Sequence, residues 1–381
     1  MTGAEAPASS SRGQSGAAPS DADGPTAITR RRLLLASVVI VVALVGLYFL
    51  IPKLAGLKQT WGRLQHGDPL SLALGAVLEM CSIVGYAALF RTVFGRGVPR
   101  IDWRASMEIP LAGIAAIRLV AAAGAGGVAV TAWALDRAGV SAEVIACRMV
   151  ASLVVQYSVY LAALIVCGLG LWTGVLPGGG SIMITAVPAA AAVVLGAAVL
   201  SLALMPEDIE QRAERFAGQT GRIGWVAKKV AKAPKALGSG VRTAGTLIRD
   251  RRLGLLGALA YWGFDIAVLG ACFHAFGTAV PVAVLVVGYF LGTLGSLLPL
   301  PAGIGGVEGG MIGAFVAFGA HPGDAIVAVL AYRAISFWLP TLPGIVGYLA
   351  LRSTVRRWRE ADAERGTLVR AGPSSPVTRP G

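Results

Sequence analysis

Apolar residues in this chain come in long runs at about 33–51, 70–90, 105–123, 141–172, 182–205, 254–276, 281–298 and 324–351, separated by shorter polar stretches. Most of these runs are long enough to cross about 30 Å of hydrocarbon as helices, and no strand-like alternation competes with them. The pattern predicts an all-α polytopic membrane protein. One run breaks its own rule: "LLPLPAGIGGVEGGMIGAF", from Leu297 to Phe315, carries two prolines, six glycines and an acid inside a membrane-length segment.

Composition agrees with the pattern. The 381 residues are 55% hydrophobic and 14% charged, with a mean hydropathy of +0.71, too apolar for an ordinary soluble domain. The first run follows Arg30, Arg31 and Arg32, but it is about twice the length of a signal-peptide core and lacks an Ala-x-Ala exit, so it reads as an uncleaved anchor. Cys81, Cys147, Cys167 and Cys272 all lie within apolar runs and the three histidines are scattered, which argues against a disulfide framework or a zinc site; no metal or cofactor is expected. Residues 1–29 and the tail from about Ala361 read as disordered from their composition.

Charge orients the chain. Of the net +13, the loop from Pro206 to Leu253 holds eleven Lys/Arg against five acids and the tail from Arg352 seven against three, while Arg91, Arg96, Arg100 and Arg104 flank only Asp102. The positive-inside rule places all three segments and both termini in the cytoplasm. The basic loop is primarily a topological signal; Lys228, Lys229, Lys232 and Lys235 are also placed to rest on acidic headgroups, and nothing in the pattern calls for nucleic acid.

Counting crossings under this rule leaves one passage missing in each half. Parity is restored if 105–139 is a hairpin that enters from the cytoplasm and returns to it, interrupted at Gly124, Gly126 and Gly127, and if 281–320 is a second hairpin entered from the opposite face. Aligning Gly124–Val128 with Gly303–Val307 places Gly113 on Gly292, and each hairpin is followed by a long helix, 141–172 or 324–351. The expected architecture is therefore about six full transmembrane helices plus two re-entrant or broken-helix hairpins related as inverted repeats, 105–172 and 281–351. It lies within a membrane domain spanning 30–351, interrupted by the cytoplasmic loop 206–253 and followed by a basic tail, 352–381.

Irregular backbone at membrane depth survives only where protein or a wet cavity covers it. In the opening stretch Pro299 and Pro301 stop one half-helix, while Gly303, Gly305 and Gly306 let the chain reverse. Gly305/Gly309 and Gly306/Gly310 also fit close helix packing through small residues, and the two readings are compatible.

Charged residues inside the spans are the candidate site. Glu79, Asp265 and Arg333 fall roughly 13–17 Å along their helices, near mid-membrane, where exposure to lipid costs about 2.5–3.5 kcal/mol each. They are expected to face one another or water, either as an internal ion pair or as a binding site. Arg148 is shallower and open to snorkelling, and Arg118 is placed to offset the end of a half-helix dipole. Glu308 has two readings, an anion at a helix N-terminus or the partner of Arg333.

At these residues a resemblance can be named. "LPLPAGIGGVEGG" from Leu298 and "YRAISFWLPTLPG" from Tyr332 to Gly344 resemble the transmembrane flippase-like domain of the lysylphosphatidylglycerol synthase family. Pro301, Gly303, Ile304, Gly305 and Glu308 match its first hallmark; Tyr332, Arg333, Leu339 and Pro340 match its second. The segment from Gly124 resembles an earlier Gly-Gly block of the family, without its usual proline. The resemblance implies a protein that binds or translocates a phospholipid or lipid-linked substrate, with Arg333 and Arg118 or Arg148 as phosphate ligands and Glu308, Asp265 or Glu79 balancing them or engaging a cationic headgroup. The family's aminoacyl-transferring domain is not expected in 352–381, so enzymatic activity is not expected. A lipid-binding scaffold and a membrane-embedded transferase stay open as alternatives, as does self-association.

Overall fold

In a computed structural model the described residues are 64, 66–119, 125–203, 238–250, 253–297 and 305–371. The first apolar run, the N-terminal tail, most of the basic loop, Gly124, Pro299, Pro301 and Gly303 lie outside them, as does the side chain of Arg118.

The described chain is helical, with no strand among its residues. Helix α1, Pro69–Phe94, begins where the Asp68 carboxylate accepts the Leu70 and Ser71 N–H groups and Pro69 fills the first turn; it stops at Gly95. Helices α2 (Trp103–Leu119) and α3 (Ala125–Arg137) pack together as the first hairpin. Helix α4 (Ala142–Trp172) is long, α5 (Ala186–Ala203) returns alongside it, and residues 238–249 form α6. Helix α7 (Leu256–Ala275) leads to α8 (Val282–Thr293), which packs on α9 (Gly306–Ala317) as the second hairpin. Helix α10 (Pro322–Arg333) passes through a π-helical turn, Ala334–Trp338, into α11 (Thr341–Ala371).

Segments Pro69–Phe94, Ala142–Trp172, Leu253–Ala275 and Pro322–Glu364 are long and apolar enough to cross a membrane, and α5, α8 and α9 are shorter apolar helices. The last segment is not the simple helix 324–351 expected, since it widens at 334–338. The tail expected to be disordered from about Ala361 is helical to Ala371. Arg356 pairs with Glu360 one turn on, and Asp362 bonds Arg100, so polar residues that resemble a tail stabilise a helix end instead.

The antiparallel pair α1/α7 is the central post. At one end the Asp68 N–H donates to Ala275 O (2.9 Å); toward the other, at the start of α7, Gly85 and Gly257 let the backbones touch, a Cβ on Gly257 falling 2.3 Å from Gly85 O. The first hairpin starts and finishes beside the far end of α1, where Arg100 donates to Arg137 O (3.4 Å). The second starts and finishes at the Asp68 end, where Gly180 abuts Phe318 and Gly178 abuts Val284. We refer to the opposite end, bearing Arg91, Arg96, Arg100 and Arg148, as the arginine end. One hydrophobic core surrounds each hairpin: Phe273, Val287, Phe290, Met311 and Phe315 near the second, Leu89, Ile109, Leu135 and Leu351 near the first. Lipid offers apolar side chains no drive to cluster, so such contacts hold helices together by close packing.

Candidate functional site

Arg333 ends α10 and Glu308 lies in the first turn of α9. Gly305, at φ +88°, turns the chain into α9 through a conformation that favours glycine. Glu308 Oε2 then accepts the Gly305 N–H (2.7 Å), while Oε1 accepts Arg333 Nε (2.7 Å). The two readings of Glu308 are therefore both realised: one carboxylate caps the half-helix and holds the arginine, leaving the terminal Nη groups of Arg333 unengaged by it. The Arg333 guanidinium also sits 5.6 Å over the Phe337 ring.

Asp265, 8% exposed, projects from α7 toward α8 and α10. The Tyr289 hydroxyl donates to Oδ2, and the Tyr332 hydroxyl lies 3.1 and 3.2 Å from the two carboxylate oxygens. Glu79, 6% exposed on α1, interacts with Asp265 across the central post, and Arg333 is close enough to act electrostatically on the same aspartate. Four of the anticipated residues, Glu79, Asp265, Tyr332 and Arg333, thus meet, with Glu308 attached through Arg333. Arg333 satisfies Glu308, whereas the hydroxyls of Tyr289 and Tyr332 satisfy Asp265.

This cluster forms the inner end of a cavity of about 1230 Å³. The walls are mostly apolar and aromatic: Tyr160 packs tilted on Phe290, ring centroids 4.1 Å apart, and donates to its carbonyl (3.0 Å), Trp262 donates to Gln156 O (3.0 Å), and Tyr86 lies 5.3 Å from Tyr261. The polar tips of Tyr160 and Trp262 are thus satisfied while their rings present an apolar surface.

Arg148 is elsewhere. Its guanidinium donates to Phe94 O (2.8 Å) and Arg96 O (2.7 Å), capping the carbonyl end of α1, and it does not line the cavity. The site role anticipated for it is replaced by a structural one, because its position near the start of α4 puts it level with those carbonyls. Sequence reasoning missed Tyr289, whose hydroxyl and that of Thr293 were the polar signals in "VAVLVVGYFLGT", and buried Glu108, which accepts Arg104 Nε at 2.7 Å one turn away. Among the described residues no group of three His, Cys, Asp or Glu side chains is arranged to hold a metal ion.

The family profile described as the lysylphosphatidylglycerol synthase TM region matches residues 34–344. Two curated matches are UPF0104 membrane proteins of Methanothermobacter thermautotrophicus, one 36% identical over 105 residues (26% of this chain, 30% of the relative), the other 33% identical over 95 residues (25% and 28%). Each aligned segment thus spans less than a third of its relative's length. With a profile match over most of its length and multiple apolar helices built around the Glu308–Arg333 pair, this chain belongs to the lysylphosphatidylglycerol synthase transmembrane-region family of multi-pass membrane proteins.

Proposed function

We propose that the protein binds and translocates an amphiphile, a phospholipid or lipid-linked molecule, whose polar group is received by Arg333, Asp265 and Glu79. The observation that carries this reading is the cavity, a mostly apolar space whose inner end is the buried cluster of ionisable groups. A polar headgroup can find hydrogen-bond partners there at a depth where lipid offers none, while chains lie along aromatic and aliphatic walls. Arg333 is already held by Glu308, which pre-orients its Nη donors for an anionic group; the surplus carboxyls favour a hydrogen-donating or cationic part of the same headgroup.

The hairpins give the site a means of exposure to either side. They begin and end at opposite ends of the α1/α7 post, and Gly113 against Thr131 in one has its aligned counterpart in Gly292 against Gly310 in the other. We read them as inverted repeats flanking one site, in a cell membrane with the arginine end cytoplasmic. The ligand is moved, not chemically changed.

Reconstitution in liposomes with a phospholipid fluorescent on its headgroup tests this. Arg333→Ala and Glu308→Gln are each expected to slow headgroup movement by about tenfold or more, equivalent to about 1.4 kcal/mol. Unaltered rates in both variants overturn the assignment.

A further inference from the structure

The cavity has a mouth, and where it opens matters. Its deep residues, Glu79 and Asp265, sit near the middle of α1 and α7, but its outer wall is made by the stretch 150–165 of α4, the arginine-end half of α5 and α6. There Leu153 (53% exposed), Leu195 (55%), Leu200 (60%) and Ile248 (49%) line the space and yet face outward. Toward the Asp68 end the second hairpin is packed shut: Phe273 meets Phe315 edge-on at 4.7 Å, and Met311, Phe290 and Val287 are completely buried.

A mouth rimmed by aliphatic side chains of α4, which is long and apolar enough to cross a membrane, and of the shorter apolar helix α5 opens onto hydrocarbon, with α6 from the basic loop at its arginine end. Its natural entrant is something already dissolved in that hydrocarbon. From this geometry we infer that the acyl chain of a phospholipid enters sideways, from the half of the bilayer at the arginine end, through a portal between α4–α5 and α6, and that α6 forms its rim. The inference rests on the reading of the cavity as a lipid site and adds the route and the side.

Helix α6 is suited to a rim. It is pinned to α4 by a close approach, with a Cβ on Gly240 falling 2.5 Å from Val150 Cβ, and by a Cys147–Thr243 contact of 3.4 Å. Its cavity side is small: a Cβ on Gly245 meets nothing within 4 Å, and across the mouth one on Gly196 meets only a Leu161 methyl at 3.9 Å. These glycines leave the width that a chain needs.

The same feature supplies the test. Gly245→Trp and Gly196→Trp put a ring into the portal without striking backbone, whereas Gly263→Trp adds the same ring at an exposed α7 position that does not line the cavity. Full-length protein in liposomes is irradiated with a phospholipid carrying a photoactivatable group on its acyl chain, and adducts on residues 79–86, the cavity wall of α1, are mapped by mass spectrometry. Both plugged variants are expected to lose about tenfold of these adducts and Gly263→Trp none; in short exposures adducts are expected only when the labelled lipid occupies the leaflet at the arginine end. Equal adducts in all three variants, adducts arising equally from either leaflet, none in the wild type, or a disulfide joining Gly245→Cys to a cysteine placed in 33–51 would each overturn the portal. Undiminished headgroup movement in both plugged variants would also remove the portal while leaving transport intact. Adducts as expected without any headgroup movement in the wild type would leave the portal standing and remove transport.

Discussion

Arg333 and Glu308 are about four-fifths withdrawn from solvent and each satisfies the other, so removing one strands a charge. Loss of either partner is expected to cost about 3 kcal/mol. The double variant Arg333→Met/Glu308→Met should cost less than the sum of the single ones, by about 1–3 kcal/mol. Thermal unfolding of the four proteins in one detergent measures the coupling, and strict additivity would show that the pair is not a unit. Asp68 offers a check outside the span. Donation from the Ser71 hydroxyl, then from its N–H, holds the Asp68 carboxyl below its usual value of 3.8. A carboxyl lowered by folding stabilises fully above its unfolded pKa, and that contribution fades as pH falls through the folded value. The Tm gap between wild type and Asp68→Ala is therefore expected to stay constant from about pH 7 to 5 and to narrow below about pH 4.

The elements depend on where backbones are allowed to touch. In the second hairpin a Cβ on Gly295 would fall 2.0 Å from Gly306 O, whereas one on Gly309 meets nothing within 4 Å. Gly295→Ala must push α9 away from the end of α8 and is expected to destabilise by about 1–3 kcal/mol; Gly309→Ala, on the same helix, is expected to be neutral or slightly stabilising through its better helix propensity. Equal melting temperatures for the two variants would show that the hairpin is not held by this contact. Helix ends follow the same local logic. Asp68, the Asp102 carboxylate accepting the Ala105 N–H (2.8 Å) and His321 accepting the Gly323 N–H (3.3 Å) each mark a start that the sequence announces.

Across the whole molecule, charge and hydropathy made the path of the chain legible. Opposite entry of the hairpins is the expectation that charge and the count of apolar runs lead to, and it has a direct assay: in a background without the four native cysteines, Arg137→Cys and Ala279→Cys are expected to react with an impermeant thiol reagent from opposite faces. Labelling from one face contradicts the arrangement. The Glu308–Arg333 pairing was also legible, because each residue is too costly to leave alone in an apolar segment. Other features were not. Tyr289 looks like one more aromatic in a buried run until its hydroxyl is seen against Asp265, and the shallower position of Arg148 does not by itself reveal the carbonyls of Phe94 and Arg96 that it bonds. The helical tail beyond residue 351 meets, at Asp362, Arg100, a partner far away in sequence.

The π-helical turn at Ala334–Trp338 separates Arg333 from the glycines that seat α11 on the first hairpin, where a Cβ on Gly344 would lie 3.0 Å from Leu111 O and one on Gly347 2.7 Å from Leu111 Cβ. A π turn holds one surplus residue relative to a regular helix. That surplus sets the rotational phase between Arg333 and the first hairpin: absorbing it into regular winding would swing one relative to the other by about 100°. This short wide coil thus fixes the angle at which the Glu308–Arg333 pair stands to helices α2 and α3.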